Sequence, residues 1–191
     1  MALNSLTIRI LDNVSQLDDF NCGIKAMDDF IHSGLANSVR NHYCNLYSVT
    51  LDNEIVAMFS LSFDSLELDL DSLEEILDNQ SSSNKPNLSS NYVDTFLSKH
   101  HYPALEISYL AVKENYRRKG IGKAVVDSIA EMAQRQKTAG CMFLTVEAYI
   151  EEDYSAVPFY NACHFEPCEY KKPDKETLRM FRTLFPKNDH Q

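Results

Sequence analysis

Tyr116-Arg117-Arg118-Lys119-Gly120-Ile121-Gly122-Lys123 decides how this chain is read, because it joins an apolar run, Ile107 to Val112, to an amphipathic one, Ala124 to Ala133. A strand, a basic turn with two glycines and a helix start together make a device for holding phosphate. Glycine lets backbone approach an anion closely, and the N–H groups of a helix's first turn have no partners inside the helix. The helix dipole adds positive potential at that end, and Arg117, Arg118, Lys119 and Lys123 add four cationic side chains. The pattern predicts a polyphosphate-bearing ligand.

Working outward, strands alternate with helices. Leu105 to Val112 reads as a strand. Gly122 to Lys137 reads as a helix with Val126, Ile129, Ala130 and Ala133 at helical spacing and Gly140 as its stop. Met142 to Ala148 is a further strand, Ser155 to Cys163 a helix and Glu176 to Leu184 a closing strand. Upstream, Leu6 to Ile10 reads as a short strand. Asn21 reads as the cap of a helix to about Val39, with Ile24, Met27, Ile31 and Leu35 on one face. Tyr43 to Leu51 and Glu54 to Phe63 form a hairpin around Asp52-Asn53. This order predicts an α/β fold, a mixed central sheet with at least one parallel pair flanked by helices on both faces.

At 191 residues, 44% hydrophobic and with ten Tyr and ten Phe, the chain has the size and composition of one globular domain. Asp64 to His101 reads as an insertion within it: acidic to Asp78, with Ser72-x-x-Glu75 as a capping box, then polar and low in complexity from Asn79 to Asn91. Its acidity reads as a solvated face, the alternative being a lid that attracts a cationic substrate. A net charge of −10 disfavours a general nucleic-acid binder. No apolar run is long enough to span a bilayer, and Met1 to Ile10 lacks the features of a signal peptide, so the cytoplasm is the expected location. Cys22, Cys44, Cys141, Cys163 and Cys168 are odd in number without a C-x-x-C pair, and no H-E-x-x-H occurs; disulfides and metal sites are not expected. The sequence is compatible with a monomer or a dimer.

Three phosphate devices compete for the turn. A P-loop requires G-x-x-x-x-G-K-S/T, but Arg117 stands at the first glycine and Ala124 at the hydroxyl. A dinucleotide fold requires G-x-G-x-x-G directly after a strand, with an acid such as Glu147 on the ribose. Here Val125 replaces the third glycine, Lys113 to Lys119 separates strand from glycines, and the 44 residues after Glu147 cannot hold a second half. The third device is a family pattern. Arg117-x-x-Gly120-x-Gly122 after Leu110-Ala111-Val112 resembles motif A of the GNAT acetyltransferases, Q/R-x-x-G-x-G/A. Ala156-Val157-Pro158-Phe159-Tyr160-Asn161-Ala162-Cys163-His164-Phe165 resembles that family's A-x-x-F-Y-x-x-x-G-F helix end.

The resemblance covers most of the chain and implies the GNAT fold, with its splayed parallel strand pair, acetyl-CoA as donor and an amine as acceptor. It implies that the backbone of Arg117, Arg118, Lys119, Gly120, Ile121, Gly122 and Lys123 cradles the CoA pyrophosphate, while Leu110, Ala111 and Val112 pair with the pantetheine arm. Tyr160 matches the family's F-Y tyrosine, implied to be the general acid at the CoA sulfur; the alternative is a core aromatic. Glu106 stands where histone acetyltransferases of the family carry a catalytic glutamate, although Leu105 is an extra residue before it. Ordered water is the competing base. Tyr109, His100 and His101 are secondary candidates on the acceptor side, the histidines reading as surface residues. Cys163 reads as a small hydrophobe, since no His-Asp arrangement flanks it. His164 replaces a glycine where positive φ is expected, and Asp153 replaces a cofactor-contacting Asn, so that contact is not carried over.

Phe20-x-Cys22-Gly23 with Met27-Asp28 and Phe30-Ile31 resembles the opening of a GNAT branch that includes toxins acetylating aminoacyl-tRNA. The acidic charge argues against that acceptor, and an amine on a small molecule, protein or peptide is the leading expectation. A module that binds acyl-CoA without turnover is the non-enzymatic alternative.

Overall fold

The computed structural model describes residues 6–68, 88–152, 154–168 and 176–184, together with Glu74 and Leu77. The strands are β1 (Thr7–Ile10), β2 (Asn45–Leu51), β3 (Glu54–Glu67), β4 (His101–Val112), β5 (Phe143–Glu151), β6 (Tyr154–Ser155), β7 (Glu166–Pro167) and β8 (Thr177–Thr183). The helices are α1 (Lys25–Ser33), α2 (Leu35–Arg40), α3 (Ser90–Leu97), α4 (Ile121–Arg135) and α5 (Val157–Ala162). They make a mixed α/β fold on an eight-stranded sheet of hydrogen-bonded order β1-β2-β3-β4-β5-β8-β7, with β6 on β5. The β4–β5 pair is parallel, as expected, and its ladder joins Ala104, Leu105 and Glu106 to Phe143, Leu144 and Thr145. The chain falls into two compact units, Met1–Ser62 with Ile107–Ile129, and Phe63–Glu106 with Ala130–Gln191.

In the first unit, Ile31 of α1 and Leu35 of α2 are buried against Leu46, Met58 and Ala111 from β2, β3 and β4. Each such side chain stabilises the fold by about 1.5–3 kcal/mol relative to exposure. The β2–β3 hairpin turns at Asp52 (φ 50°) and Asn53 (φ 67°), both left-handed as a two-residue I′ turn requires, and Asp and Asn tolerate that region best after Gly.

The helix expected over Asn21 to Val39 is two helices, and its entry differs. Asn21 does not cap α1; its Oδ1 accepts from Gly23 N at 2.8 Å. The entry is held instead by Asp28 in the first turn of α1, whose carboxylate accepts from Cys22 N at 2.8 Å and Gly23 N at 3.1 Å. The helix breaks at Gly34, whose φ of −99° any residue adopts. Sterics explain the glycine: a Cβ there would stand 2.7 Å from the Phe30 ring.

In the second unit the core gathers Leu66, Leu68, Phe96, Tyr102, Ala104, Phe143 and Phe181. Phe143 meets Tyr102 and Phe181 edge-on, with centroids at 5.8 and 5.9 Å. The Tyr102 hydroxyl donates to Lys99 O at 2.8 Å, tying the segment after α3 to β4. The limits expected for the insertion therefore cut into ordered core elements. β3 runs past Phe63 to Glu67, Leu66 and Leu68 are buried beside Phe96 of α3, and β4 begins at His101. The expected capping box at Ser72 and Glu75 lies outside the described residues, as do residues 79–87 of the polar loop expected over 79–91, whose last two residues instead open α3. α4 ends at Arg135, before Gly140. The Gln136 side chain accepts from Thr138 N and Ala139 N beyond it, and a Cβ on Gly140 would meet nothing within 4 Å.

Phe30 is stacked on Tyr109 with centroids 4.1 Å apart, so its ring has little freedom to yield to a new methyl group. Gly34→Ala is expected to lower stability by about 1–3 kcal/mol despite the better helix propensity of Ala, the overpacking cost exceeding the backbone gain. Urea unfolding of both proteins measures the difference.

Candidate functional site

The basic turn is built within the first unit. After β4 the chain makes a single 3-10 turn, Glu114–Tyr116, then passes through Arg118 (φ 58°) and Gly120 (φ 81°) into α4. Ala124 N is bonded to Gly120 O at 3.1 Å, so the N–H groups of Ile121, Gly122 and Lys123 precede the helical ladder and are the donors of the first turn. That first turn carries no acidic residue. The turn fits a pyrophosphate in both donors and charge.

Its cations do not act alike. Arg117 Nη1 donates to Cys22 O at 3.2 Å, so this side chain braces the loop before α1. Lys119 Nζ donates to Asn115 O at 2.7 Å and stands 5.1 Å over the Tyr116 ring. Lys123 lies 3.6 Å from Asp127, and Arg118 is exposed. Glu54 steadies the turn from β3: its carboxylate accepts from Lys113 at 2.6 Å and from the Tyr116 hydroxyl at 2.7 Å, and these bonds hold it below the usual carboxylate range.

The Cys22-Gly23 pair has a conformational explanation. Gly23 has φ 76°, and a Cβ on it would come 3.0 Å from the Glu114 carboxylate. Glu114 N donates to Asn21 O at 2.9 Å, joining the same two segments. The Cys22 thiol is buried, and that burial, followed by its hydrogen bond with Asp28, pushes its pKa up to about 11. It is a protonated packing group at neutral pH.

Tyr160 belongs to the second unit and is placed by the way α5 ends. Phe165 N donates to Tyr160 O at 3.0 Å and His164 N to Asn161 O at 3.0 Å, with His164 at φ 66°: the paired bonds of a Schellman cap. The hydrophobic contact that accompanies such a cap is Tyr160 against Phe165, at 5.3 Å and 66°, and Phe159 closes the other side at 5.0 Å. The family pattern F-Y-x-x-x-G-F is thus a helix stop, with the tyrosine three positions before the cap and the glycine at the left-handed residue. Tyr160 is only 6% exposed, and among the described residues its hydroxyl has no hydrogen-bond partner. Burial first, then the nearby Tyr154 and Cys163, raise its pKa well above the ordinary tyrosine value, so the hydroxyl stays protonated.

Glu106 also lies in the second unit, where three carboxylates share one guanidinium. Arg179 Nη1 stands 3.6 Å from Glu106 Oε1 and 3.4 Å from Glu147 Oε1, and Nη2 donates to Asp64. The Thr145 hydroxyl donates to Asp64, and Thr177 Oγ1 donates to Glu147 Oε2 at 3.2 Å. The register explains the gathering: Glu106 pairs with Thr145 across β4–β5, and Glu147 with Arg179 across β5–β8. Asp64, read as the start of a solvated acidic run, is instead a strand residue held in an ion pair with a side chain 20% exposed. Sequence reasoning missed Arg179. Its signal was a basic residue inside the apolar closing strand.

Of the secondary candidates, His100 and His101 are exposed, and Tyr109 is stacked on Phe30. Cys163 is fully buried. Asp153 lies outside the described residues. Among the described residues no group of three or more His, Cys, Asp or Glu is arranged to hold a metal ion, and no helix is long and apolar enough to cross a membrane.

The left-handed residue at His164 makes a direct prediction. His164→Val puts a β-branched side chain at φ 66° and is expected to cost about 1–2 kcal/mol, read as a lower unfolding midpoint.

A model of the acetyltransferase (GNAT) family matches residues 12–165. No curated protein matches the chain. Solved structures do. The AtaTR complex bound with acetyl-CoA aligns at TM-score 0.65 and 20% identity, covering 95% of each chain. A tyrosine-to-phenylalanine variant of KacT aligns at 0.64 and 17%, covering 94% of this chain and 95% of that one. AtaT complexed with acetyl-methionyl-tRNAfMet aligns at 0.61 and 20%, covering 91% and 93%. At these identities the structures establish the fold, and the family match covers most of the chain. The chain belongs to the GNAT acetyltransferase family.

Proposed function

We propose that the chain is a single-domain, acetyl-CoA-dependent N-acetyltransferase that moves the acetyl group to a primary amine. The observation that carries this reading is Tyr160: a buried side chain, fixed by the cap at His164, whose neutral hydroxyl has no hydrogen-bond partner among the described residues. A leaving thiolate needs a proton, and such a hydroxyl can supply it.

The N–H groups of Arg118 to Lys123 hold the pyrophosphate, and the backbone of Leu110, Ala111 and Val112 pairs with the pantetheine arm. Arg117 contributes through the shape of the turn, because its guanidinium is engaged by Cys22 O. Glu106 takes a proton from the acceptor ammonium, directly or through water, and the free amine attacks the thioester carbonyl. The tetrahedral intermediate gives its second nitrogen proton to solvent and collapses with cleavage of the C–S bond; Tyr160 protonates the departing sulfur and regains a proton from solvent, and Glu106 releases to solvent the proton it took. The products are an N-acetylated amine and free CoA. The negative charge around Arg179 suits an acceptor that arrives as a cation.

A second reading is favoured by a specific observation, the shared fold of the toxin AtaT and its complex with acetyl-methionyl-tRNAfMet. In this reading the amine is the α-amino group of an aminoacyl-tRNA. The net charge of −10 weighs against it, and the Cys22-Gly23 motif is accounted for by the loop geometry, so the first reading is preferred. Release of CoA with a panel of small amines, amino acids and peptides supports the first. Growth arrest on induced expression, with acetylated aminoacyl-tRNA recovered, supports the second. Bound acetyl-CoA that is never turned over contradicts both.

Tyr160→Phe is expected to lower kcat by about 10²–10⁴-fold with acetyl-CoA affinity within about twofold. Glu106→Gln is expected to remove the acid limb of the kcat profile. An unaltered profile assigns the deprotonation to solvent or another group.

A further inference from the structure

Arg179 has no role in the family pattern, yet among the described residues it is the cation that meets acidic side chains from three other strands. Asp64 comes from β3, Glu106 from β4, Glu147 from β5 and Arg179 from β8, with the hydroxyls of Thr145 and Thr177 bonded to Asp64 and Glu147. The guanidinium is 11% exposed, and the three carboxylate side chains are 16–29% exposed. Charges so placed are poorly screened, and carboxylates this close without a cation would repel one another. Arg179 divides its fork: Nη2 serves Asp64, and Nη1 lies between Glu106 and Glu147. Its contact with Glu106, at 3.6 Å, is the longest of the three, an ion pair without a hydrogen bond.

We propose that Arg179 is a positioning residue for the transfer reaction, holding the Glu106 carboxylate in its working orientation and keeping it ionised. Asp64 and Glu147 anchor the guanidinium from both sides, so that the fork can present one nitrogen to Glu106. Lysine cannot reproduce this, because a single ammonium lacks the planar fork. The inference depends on Glu106 being the base. The sign of its effect follows from charge: a nearby cation favours the carboxylate, and removing it leaves two acidic neighbours that favour the protonated form.

The test compares Arg179→Gln and Arg179→Lys by the pH dependence of kcat with a primary amine and by acetyl-CoA titration. Arg179→Gln is expected to move the acid limb up by about one pH unit. Arg179→Lys keeps the charge and is expected to leave the limb in place while kcat falls about tenfold from lost orientation. Limbs unmoved in both variants, with equal losses of kcat, overturn the proposal in favour of a structural ion pair. If Arg179→Gln does not fold, Arg179→Lys decides: wild-type kcat overturns the proposal, and a lowered kcat with an unmoved limb and unchanged acetyl-CoA affinity supports it. Glu106→Gln separates the two ideas. If it leaves the wild-type acid limb intact, the base assignment fails and the proposal with it. If it removes the limb while Arg179→Gln does not move it, the proposal alone fails.

Discussion

The backbone at His164 adopts a positive φ, and the placement of Tyr160 depends on it. A helix must terminate with its last carbonyls bonded to something. Here the two bonds of the Schellman cap reverse the chain so that Phe165 returns onto the tyrosine three positions before the cap. The family's glycine is the usual solution to that geometry. Histidine occupies it here at a conformational cost that the cap's hydrogen bonds and the buried Phe165 offset. A pattern that looks like a catalytic signature is thus first a folding instruction, and the proposed reaction draws on the ring that the fold has immobilised.

The first unit shows the same economy of means in a different material. Gly23, Glu114 and Arg117 are distant in sequence, but a missing Cβ, a backbone bond from Glu114 to Asn21 and a guanidinium on Cys22 O make them one brace. This brace shapes the turn whose N–H groups open α4. It explains why a motif before α1 accompanies the basic turn in the same chain without contributing a charge to it. The buried, protonated Cys22 thiol is part of the packing.

Local grammar carried most of the fold. The Asp52-Asn53 hairpin, the strand before the basic turn, α4 and the apolar face of Ile31 and Leu35 were all legible from spacing, because each is decided by neighbours a few residues apart. The misreadings have a common physical origin in contacts between segments far apart in sequence. Asp64 looked like the first residue of a solvated acidic run, although its partner Arg179 lies 115 residues away. Leu66 and Leu68 are likewise held by Phe96 and Phe143. At the candidate site, Tyr160 and Glu106 were visible through the family pattern. The guanidinium that stands beside the glutamate was not, since its placement depends on the register of strand pairs far apart in sequence.

The central claim is that Tyr160 and its surroundings serve acetyl transfer to an amine. The most direct measurement incubates the protein with acetyl-CoA carrying an isotopically labelled acetyl group, in the presence of amine-containing small-molecule, peptide and aminoacyl-tRNA fractions. Mass spectrometry then follows both the label and free CoA. The account predicts label on a primary amine in one fraction, with CoA released in equal amount, and loss of both in Tyr160→Phe. Label remaining on CoA in every fraction, or equal transfer by Tyr160→Phe, would contradict it.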